Sequence, residues 1–190
     1  EAAWLASRRR GLGASDMANA DTGAYGGGYA VVADKLGYDT DDNKNLGAKQ
    51  RGHEWEQRIA DAVHALTGLY VIGEQLQIIS AANPVHRFTA DGLLATTAEI
   101  LGVDEADYVL EIKTKTQWVT GKRDYFYSQI QWQLHVTGFR RALLVIVSFT
   151  TDPATGAEIV EHIDFEWIDR DEYKIEQLVD LADRLWAHVE

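Results

Sequence analysis

Apolar residues between positions 47 and 67 recur at steps of four, four and three, which is the period of an amphipathic helix. The apolar face consists of Trp55, Ile59, Val63 and Leu66. Gly68 follows directly and is expected to end the helix, because glycine readily adopts the left-handed conformation common after a last helical turn. Glu56 lies one residue from the apolar face. It is either a solvated helix residue or a carboxylate that leans into a neighbouring site.

The C-terminal residues predict a second amphipathic helix. Its apolar face consists of Ile175, Leu178, Leu181, Leu185 and Val189. Asp169 and Glu172 have the spacing of a capping box, in which each side chain accepts a hydrogen bond from the backbone of the other. The helix is therefore expected to start at this pair.

Five apolar segments of the remaining chain predict strands. They cover residues 70–79, 87–90, 108–114, 142–149 and 159–167. Asn83 and Pro84 predict a turn, and the acidic residues 99–107 a hairpin excursion. Further helices are expected at 4–10, from about Met17, at 29–36 and at 124–136, the last closed by Gly138. This order of elements indicates a mixed α/β chain with one domain over residues 1–190.

The composition agrees with a globular protein. The chain has 190 residues, 46% of them hydrophobic, which is enough for one domain with a proper core. No apolar run approaches the roughly 20 residues of a membrane span, and no charged-then-apolar leader precedes Trp4, so we expect a cytoplasmic protein without a targeting segment. The sequence has no cysteine, so any metal ion would be bound by oxygen or histidine.

The net charge of -12 argues against a general nucleic-acid coat, since non-specific affinity comes mainly from neutralising phosphates with Lys and Arg. The basic residues are nevertheless grouped, which leaves open a DNA enzyme with a local basic surface. The groups are Arg8 to Arg10, Lys113 with Lys115, Lys122 with Arg123, and Arg140 with Arg141.

Asp91 and the strand that carries Glu111 and Lys113 form the strongest candidate site. Side chains alternate along a strand, so Glu111 and Lys113 share one face while Leu110 and Ile112 point to the core. An aspartate on a neighbouring strand would complete an oxygen-rich pocket suited to Mg²⁺ or Mn²⁺. The alternative is a solvated charge pair on a half-buried strand.

Ser15 has two interpretations of similar weight. It is a suitable N-cap for the helix expected near Met17. A helix N-terminus with a serine hydroxyl and arginines one or two turns earlier also makes a phosphate-binding site.

Five motifs, in this order along the chain, resemble those of the YqaJ-like viral recombinase nucleases, relatives of the lambda-type phage exonuclease in the PD-(D/E)XK superfamily. They are Arg8 with Gly13-Ala14-Ser15-Asp16, Gly52-His53-Glu54-Trp55-Glu56, Asp91-Gly92-Leu93, Glu111-Ile112-Lys113, and Gln129-Ile130-Gln131 with Val136-Thr137-Gly138. The resemblance covers nearly the whole chain. It implies a restriction-endonuclease-like core, a central mixed β-sheet flanked by helices. Ala90 replaces the proline of the superfamily name, a residue that ligates nothing.

The resemblance implies hydrolysis of DNA phosphodiesters with Mg²⁺, for which Mn²⁺ can substitute. The implied ligands of one or two ions are Asp91, Glu111, the Ile112 carbonyl and Glu56. Lys113 would orient or deprotonate the attacking water and Gln129 would hold it, with Gln131 as a further candidate. Arg8 and Ser15 would bind a terminal 5′ phosphate, which favours an exonuclease.

The implied function is 5′ to 3′ degradation of linear duplex DNA, which exposes a 3′ single strand for phage-type recombination. The implied partners are double-stranded DNA ends, a single-strand annealing protein and further copies of the chain in a homo-oligomeric ring, with no membrane, in a bacterial host or phage-infected cell. Two alternatives stay open. One is an endonuclease of the same superfamily, and the other is a non-catalytic DNA- or protein-binding relative.

Overall fold

The computed structural model describes residues 6–38, 46–98, 105–115 and 123–190, with the side chains of 46–54, 56, 57 and 115 outside this description. Its helices are α1 (Ala14–Thr22), α2 (Gly27–Lys35), α3 (Leu46–Thr67), α4 (Arg123–Thr137) and α5 (Glu172–Trp186), with a 3₁₀ turn at Ala24–Gly26. Its strands are β1 (Tyr70–Ile72), β2 (Gln77–Ile79), β3 (Arg87–Thr89), β4 (Gly92–Ala95), β5 (Tyr108–Lys115), β6 (Arg141–Thr151) and β7 (Glu158–Asp169). Residues 6–8 are also helical.

A five-stranded mixed sheet forms the centre, in the order β1-β4-β5-β6-β7. The strands β5 and β6 are parallel, and the other neighbours in this sheet are antiparallel. Parallel neighbours need a crossover connection, and α4 lies in that connection. The expectation of a central mixed sheet flanked by helices is confirmed.

The sheet separates two apolar cores. On one face Val109 and Leu144 pack with residues of α1, α4 and α5, including Met17, Trp132 and Leu178. On the other face Leu110 packs with α3 through Ile59 and Val63. Adjacent residues of β5 therefore enter different cores, as the alternation of a strand requires. A strand covered on both faces loses its polar alternation, which explains the continuous apolar run of β6.

The helix α4 lies between the sheet and the helices α1 and α5, which explains why most of its residues are buried. Its buried residues are Phe126, Ser128, Ile130, Gln131, Trp132, Gln133, Leu134 and Val136. Three of them are polar, and a buried polar side chain needs hydrogen-bond partners. The glutamines of α4 therefore act as connections between elements. Gly138 follows the helix with a φ of 75°, as predicted.

The predicted strand over residues 70–79 is wrong as one element. The chain turns between β1 and β2, where Gly73 has a φ of 61° and Gln75 a φ of 56°. The strand β1 joins β4 in the main sheet, whereas β2 pairs with β3 in a separate two-stranded sheet. The strand β4 was missed because its four residues, which begin with Gly92 directly after Asp91, are all buried, without the alternation that indicates a strand.

The starts of α5 and α1 differ from the predictions. Asp171, and not Asp169, caps α5 by accepting a hydrogen bond from the backbone N–H of Lys174, 3.1 Å away. Asp169 belongs to β7 and pairs with Arg141. The helix α1 starts at Ala14, ahead of Met17. No helix within the described ranges is long and apolar enough to cross a membrane.

Candidate active site

Asp91 contacts the strand that carries Glu111 where β4 begins beside β5. The Oδ2 atom of Asp91 accepts a hydrogen bond from the backbone N–H of Ile112, at 2.8 Å. Gly92 permits close packing of β4 between β1 and β5, because a Cβ there would lie 2.9 Å from Val71 Cγ1 and 3.2 Å from Leu110 Cδ2. The Asp-Gly pair thus brings a carboxylate against the backbone of the strand that carries Glu111.

Glu111 is only 1% exposed, so the interpretation as a solvated charge pair is wrong. Its Oε1 atom accepts hydrogen bonds from Lys113 Nζ and from Gln129 Nε2, the latter at 2.6 Å. Its Oε2 atom accepts a hydrogen bond from Gln133 Nε2. Burying a carboxylate is costly unless donors surround it, and these three donors meet that need. They also fix the orientation of the carboxylate.

Lys113 connects this carboxylate to the solvent, since 22% of its side chain is exposed. Burial favours a lower pKa for its ammonium, but the carboxylates of Glu111 and Asp91 outweigh burial and raise the pKa above the ordinary lysine value. The ammonium also lies 5.5 Å from the centre of the Phe126 ring. Lys113 is therefore a cation held in place beside two carboxylates.

The N-terminal segment packs against β3. Leu12 accepts a backbone hydrogen bond from Arg87 and donates one to the carbonyl of Val85, at 3.1 and 2.7 Å. The Trp132 indole N–H also donates to the Leu12 carbonyl, at 3.3 Å. A Cβ at Gly11 would overlap Val85 O and Arg87 Nε, so the close packing of this segment requires a glycine there. These contacts position the residues on both sides of Leu12.

Gly13, and not Ser15, occupies the N-cap position of α1. Asp16 takes the capping role, because its Oδ2 atom accepts a hydrogen bond from the Gly13 N–H at 2.7 Å. Ser15 lies in the first helical turn and is exposed. Of its two interpretations the cap is therefore wrong, and its hydroxyl is available at the helix N-terminus.

Asp16 also connects Arg8 to the buried Lys35. Lys35 Nζ lies 2.6 Å from Asp16 Oδ2 and donates to the Arg8 carbonyl at 3.2 Å. Arg8 Nη2 lies 3.7 Å from Asp16 Oδ1, and 34% of the Arg8 side chain is exposed. The guanidinium is thus held on one side by a buried carboxylate and reaches solvent on the other.

One cleft of about 300 Å³ joins these two regions. Its lining includes Arg8, Ser15, Asp91 and Gln129, which are candidate residues from four separate parts of the chain. Glu111 adjoins this lining, because Gln129 donates to it and Asp91 contacts the next residue of its strand, and Lys113 donates to Glu111 in turn. The cleft therefore combines cationic and hydroxyl groups with a carboxylate cluster, as a phosphate-binding hydrolytic site requires.

The candidate residues outside this arrangement are Gln131 and Glu56. Gln131 is fully buried, donates to the Asp169 carbonyl at 2.9 Å and accepts from the Asp171 N–H at 2.8 Å. It therefore faces away from Glu111, which corrects its assignment to the site. The Glu56 side chain lies outside the described residues.

Gln133 was missed by sequence reasoning, although the signal was present. It follows Gln129 by four residues, so both amides lie on one face of α4, whereas Gln131 lies on the opposite face. Arg87 and Thr89 also line the cleft and were missed. Arg87 is 8% exposed and donates to the carbonyls of Ser7 and Pro84. Burial, followed by the charge of Arg10, lowers its pKa.

The donors in the cleft suit a hard divalent cation. Asp91 and Glu111 supply carboxylate oxygens, and hard cations such as Mg²⁺ and Mn²⁺ prefer such oxygens together with carbonyls and water. Among the residues whose side chains are described, no group of three or more His, Asp or Glu could hold a metal ion. Any metal here would therefore complete its coordination with carbonyl, water or substrate oxygens, or with a carboxylate outside that set.

Comparison with solved structures identifies the fold. An alkaline exonuclease (LHK-Exo) from Laribacter hongkongensis matches with a TM-score of 0.68 and 22% identity over 100% of this chain and 92% of that one. Its complex with dAMP gives a TM-score of 0.69 and 20% identity over the same shares. A phage related exonuclease from Haemophilus somnus 129PT gives 0.64 and 14%, over 94% of this chain and 93% of that one. These similarities show the PD-(D/E)XK nuclease fold.

Comparison of sequences identifies the family. No curated protein matches the chain significantly. Residues 3–140 match the model of the YqaJ-like viral recombinase domain, a range that contains both walls of the cleft and the whole of α4. Since this match covers well over half of the sequence, the chain belongs to the YqaJ-like viral recombinase family.

Proposed function

We propose that this protein is a divalent-metal-dependent exonuclease that degrades linear duplex DNA from the 5′ end. The observation that supports the proposal most is the shared cleft, which Arg8 and Ser15 line together with Asp91 and Gln129. Family membership supports a DNA-processing role in phage-type recombination. The dAMP bound to the Laribacter hongkongensis alkaline exonuclease is also a single DNA nucleotide, as an exonuclease would release.

The metal would be held by Asp91, Glu111 and the Ile112 carbonyl, with Glu56 as a further proposed ligand. When bound, a divalent ion neutralises phosphate charge and lowers the pKa of a coordinated water. Glu111 has a fixed orientation because Gln129 and Gln133 both donate to it. This preorganisation reduces the reorganisation needed when the substrate enters.

Lys113 supplies a positive charge beside the carboxylates, which can orient the attacking water and stabilise charge on the cleaved phosphate. Gln129 combines a contact to Glu111 with a position in the cleft wall, so its amide can also hold a water. These roles require side chains held in place by neighbours, and the hydrogen bonds of Lys113 and Gln129 to Glu111 support the proposal in this respect.

Arg8 and Ser15 are proposed to bind the terminal 5′ phosphate. A guanidinium matches phosphate oxygens with two parallel hydrogen bonds, and the N-terminus of α1 adds free N–H groups and a favourable dipole. Asp16 and Lys35 hold Arg8 in place from the protein interior. A group that grips a terminal phosphate favours cutting from an end over cutting internally.

The proposal is tested by incubating the protein with linear duplexes that carry 5′-phosphate or 5′-hydroxyl ends and a label on either end. Mg²⁺, Mn²⁺ and chelator arms test the metal requirement, and a circular duplex tests internal cutting. We expect mononucleotides from the 5′ end of linear DNA only, and only with metal. Asp91→Asn and Glu111→Gln should abolish cleavage and weaken metal binding in calorimetric titration. Cleavage of the circle would support an endonuclease instead, and DNA binding without cleavage would support a non-catalytic relative.

A homo-oligomeric ring and a single-strand annealing partner remain proposals that rest on the family resemblance. Light scattering of the purified protein measures its mass and tests the ring directly. A mass equal to one chain at micromolar concentration, with full activity on long DNA, would contradict it.

A further inference from the structure

We propose that Tyr25 and Tyr125 form a stacking site for a nucleobase of the DNA strand being cut, beside the Glu111 and Lys113 pair. The inference rests on the proposed nuclease function and adds a contact to the base, whereas the groups above act on phosphate. It is carried by the backbone conformation of Tyr25, by its exposure and by its position next to the site.

The backbone of Tyr25 is strained. Its φ of 51° and ψ of 34° lie in the left-handed region, which side chains other than glycine, asparagine and aspartate rarely adopt. The neighbouring positive-φ residues, Gly23, Gly26 and Gly27, are all glycine. A tyrosine where glycine would be unstrained needs a reason, and strained residues cluster at functional sites.

Core packing does not supply that reason. Tyr25 is 61% exposed, so the energy gained by burying its ring is small. Its ring meets Tyr125 edge to face, with the ring centres 6.1 Å apart and the ring planes at 74°. The strained backbone therefore presents an aromatic ring that solvent reaches and that contacts the Tyr125 ring.

Tyr125 is linked through Phe126 to Lys113, the cation beside Glu111. Tyr125 packs edge to face on Phe126, with ring centres 5.9 Å apart, and the Phe126 ring lies 5.5 Å from Lys113 Nζ. Tyr125 also precedes Gln129 by four residues, so both side chains lie on the same face of α4. Burial raises the pKa of Tyr125 to about 12, opposed by the nearby Lys113 ammonium, which agrees with this proximity.

An exposed aromatic ring that contacts Tyr125 suits a nucleobase. Every base offers a flat π face, so stacking on tyrosine is strong and tolerant of sequence, as an enzyme that degrades any sequence requires. Phosphate contacts through Arg8 position the backbone but leave the base without a partner. A ring beside the scissile phosphate would hold the base of the nucleotide about to be released.

The test uses a duplex with 2-aminopurine as its 5′-terminal base, whose fluorescence falls on stacking, with Ca²⁺ in place of Mg²⁺ to prevent cleavage. Tyr25→Asn removes the ring and keeps a residue that tolerates the left-handed conformation, while Tyr25→Phe keeps the ring. Tyr29→Ala is the matched control, because Tyr29 is 87% exposed and only four residues away. Circular dichroism verifies that each variant is folded.

We expect quenching in the unmodified protein, in Tyr25→Phe and in Tyr29→Ala, and its loss in Tyr25→Asn. In cleavage assays with Mg²⁺, Tyr25→Asn should raise KM about tenfold on normal DNA. On DNA with an abasic 5′-terminal nucleotide it should have no effect, since the base is then missing. Unchanged quenching in Tyr25→Asn, or an equal defect on the abasic substrate, would overturn the stacking site while leaving the nuclease intact. Absence of cleavage in the unmodified protein would instead contradict the proposed function.

Discussion

Two ion pairs with buried carboxylates lie near the same cleft, Glu111 with Lys113 and Asp16 with Lys35. They differ in whether solvent reaches the lysine. The carboxylates are almost equally buried, with Glu111 1% and Asp16 5% exposed. The side chain of Lys113 is 22% exposed, whereas that of Lys35 is 0% exposed. Solvent therefore reaches the lysine of one pair, which we call open, and not the lysine of the other, which we call sealed.

The difference indicates different roles. A sealed pair cannot exchange partners, so Asp16 and Lys35 hold the Gly13 N–H and the Arg8 carbonyl in place. In the open pair the ammonium of Lys113 can also contact a partner from solvent, while two glutamine amides donate to Glu111. Burial of an ion pair alone is weak evidence of stabilisation, because desolvation offsets the attraction. Replacing each lysine in turn by methionine tests the comparison, because one variant should lose activity and the other stability.

Lys113→Met is expected to have the largest effect on activity. Cleavage should fall about 100- to 10,000-fold, because the charge that orients water and phosphate is removed. Stability should change by only about 1 kcal/mol, since Gln129 and Gln133 still donate hydrogen bonds to Glu111. Single-turnover cleavage and denaturant unfolding measure the two quantities. Near-normal turnover would remove Lys113 from the proposed mechanism.

Lys35→Met is expected to reduce stability strongly, whereas Lys113→Met mainly reduces activity. It leaves Asp16 buried beside its remaining contacts without its main counter-charge, so the free energy of unfolding should fall by about 3–5 kcal/mol. The double variant Lys35→Met with Asp16→Asn removes both charges and should recover part of this loss. Urea unfolding of the unmodified protein, the two single variants and the double variant would measure the recovery. Equal stability of Lys35→Met and Lys113→Met would contradict the distinction between sealed and open pairs.

Arg8→Ala tests whether the sealed pair positions Arg8 to bind a terminal 5′ phosphate. A charge-assisted contact to a terminal phosphate is worth roughly 1.5–3 kcal/mol, so the unmodified protein should favour a 5′-phosphate end over a 5′-hydroxyl end about tenfold to a hundredfold. Arg8→Ala should remove that preference and leave metal binding unchanged, because Asp91 and Glu111 are distant in sequence and held by other contacts. Equal rates on both ends in the unmodified protein would rule out the phosphate grip.

The contact between His86 and His135 contrasts with these ion pairs, because it joins two imidazoles and no carboxylate. The effect expected from it, on the pH dependence of stability, is the smallest. His86 Nδ1 lies 3.0 Å from His135 Nε2. Burial is the main cause that lowers both pKa values, that of His135 to about 4, with His86 and Arg170 lowering it further and Glu172 opposing them. Asp183 opposes the shift of His86.

A lowered pKa in the folded protein means that protonation favours the unfolded chain. The stability that neutral His135 contributes is therefore complete above its pKa in the unfolded chain, near 6.5. It is lost as the pH falls toward its pKa in the folded protein, about 4. We expect a loss on the order of 1–2 kcal/mol over this range after allowance for solvent screening. Urea unfolding between pH 7 and pH 4.5 measures it, and His135→Gln should flatten the curve. An unchanged slope in that variant would assign the pH dependence to other groups.

Local sequence patterns predicted the elements whose signal lies within one stretch of chain. The period of Trp55, Ile59 and Val63 predicted α3, and the glycines Gly68 and Gly138 predicted where α3 and α4 end. Hydrophobic period and capping are properties of neighbours in sequence, so they can be read before folding. The same holds for the face shared by Glu111 and Lys113, which follows from strand alternation alone.

Tertiary structure decided what depends on residues far apart in the chain. The break between β1 and β2 follows from two different pairing partners, β4 and β3. The contact of Lys35 with Asp16, and of Gln133 with Glu111, links residues 19 and 22 positions apart. Which glutamine of α4 faces the carboxylate depends on how that helix is rotated against the sheet, and packing of both its faces sets that rotation. The sequence by itself determined most of the elements and the candidate chemistry, whereas the cleft that unites Arg8 with Asp91 exists only because packing brings them together.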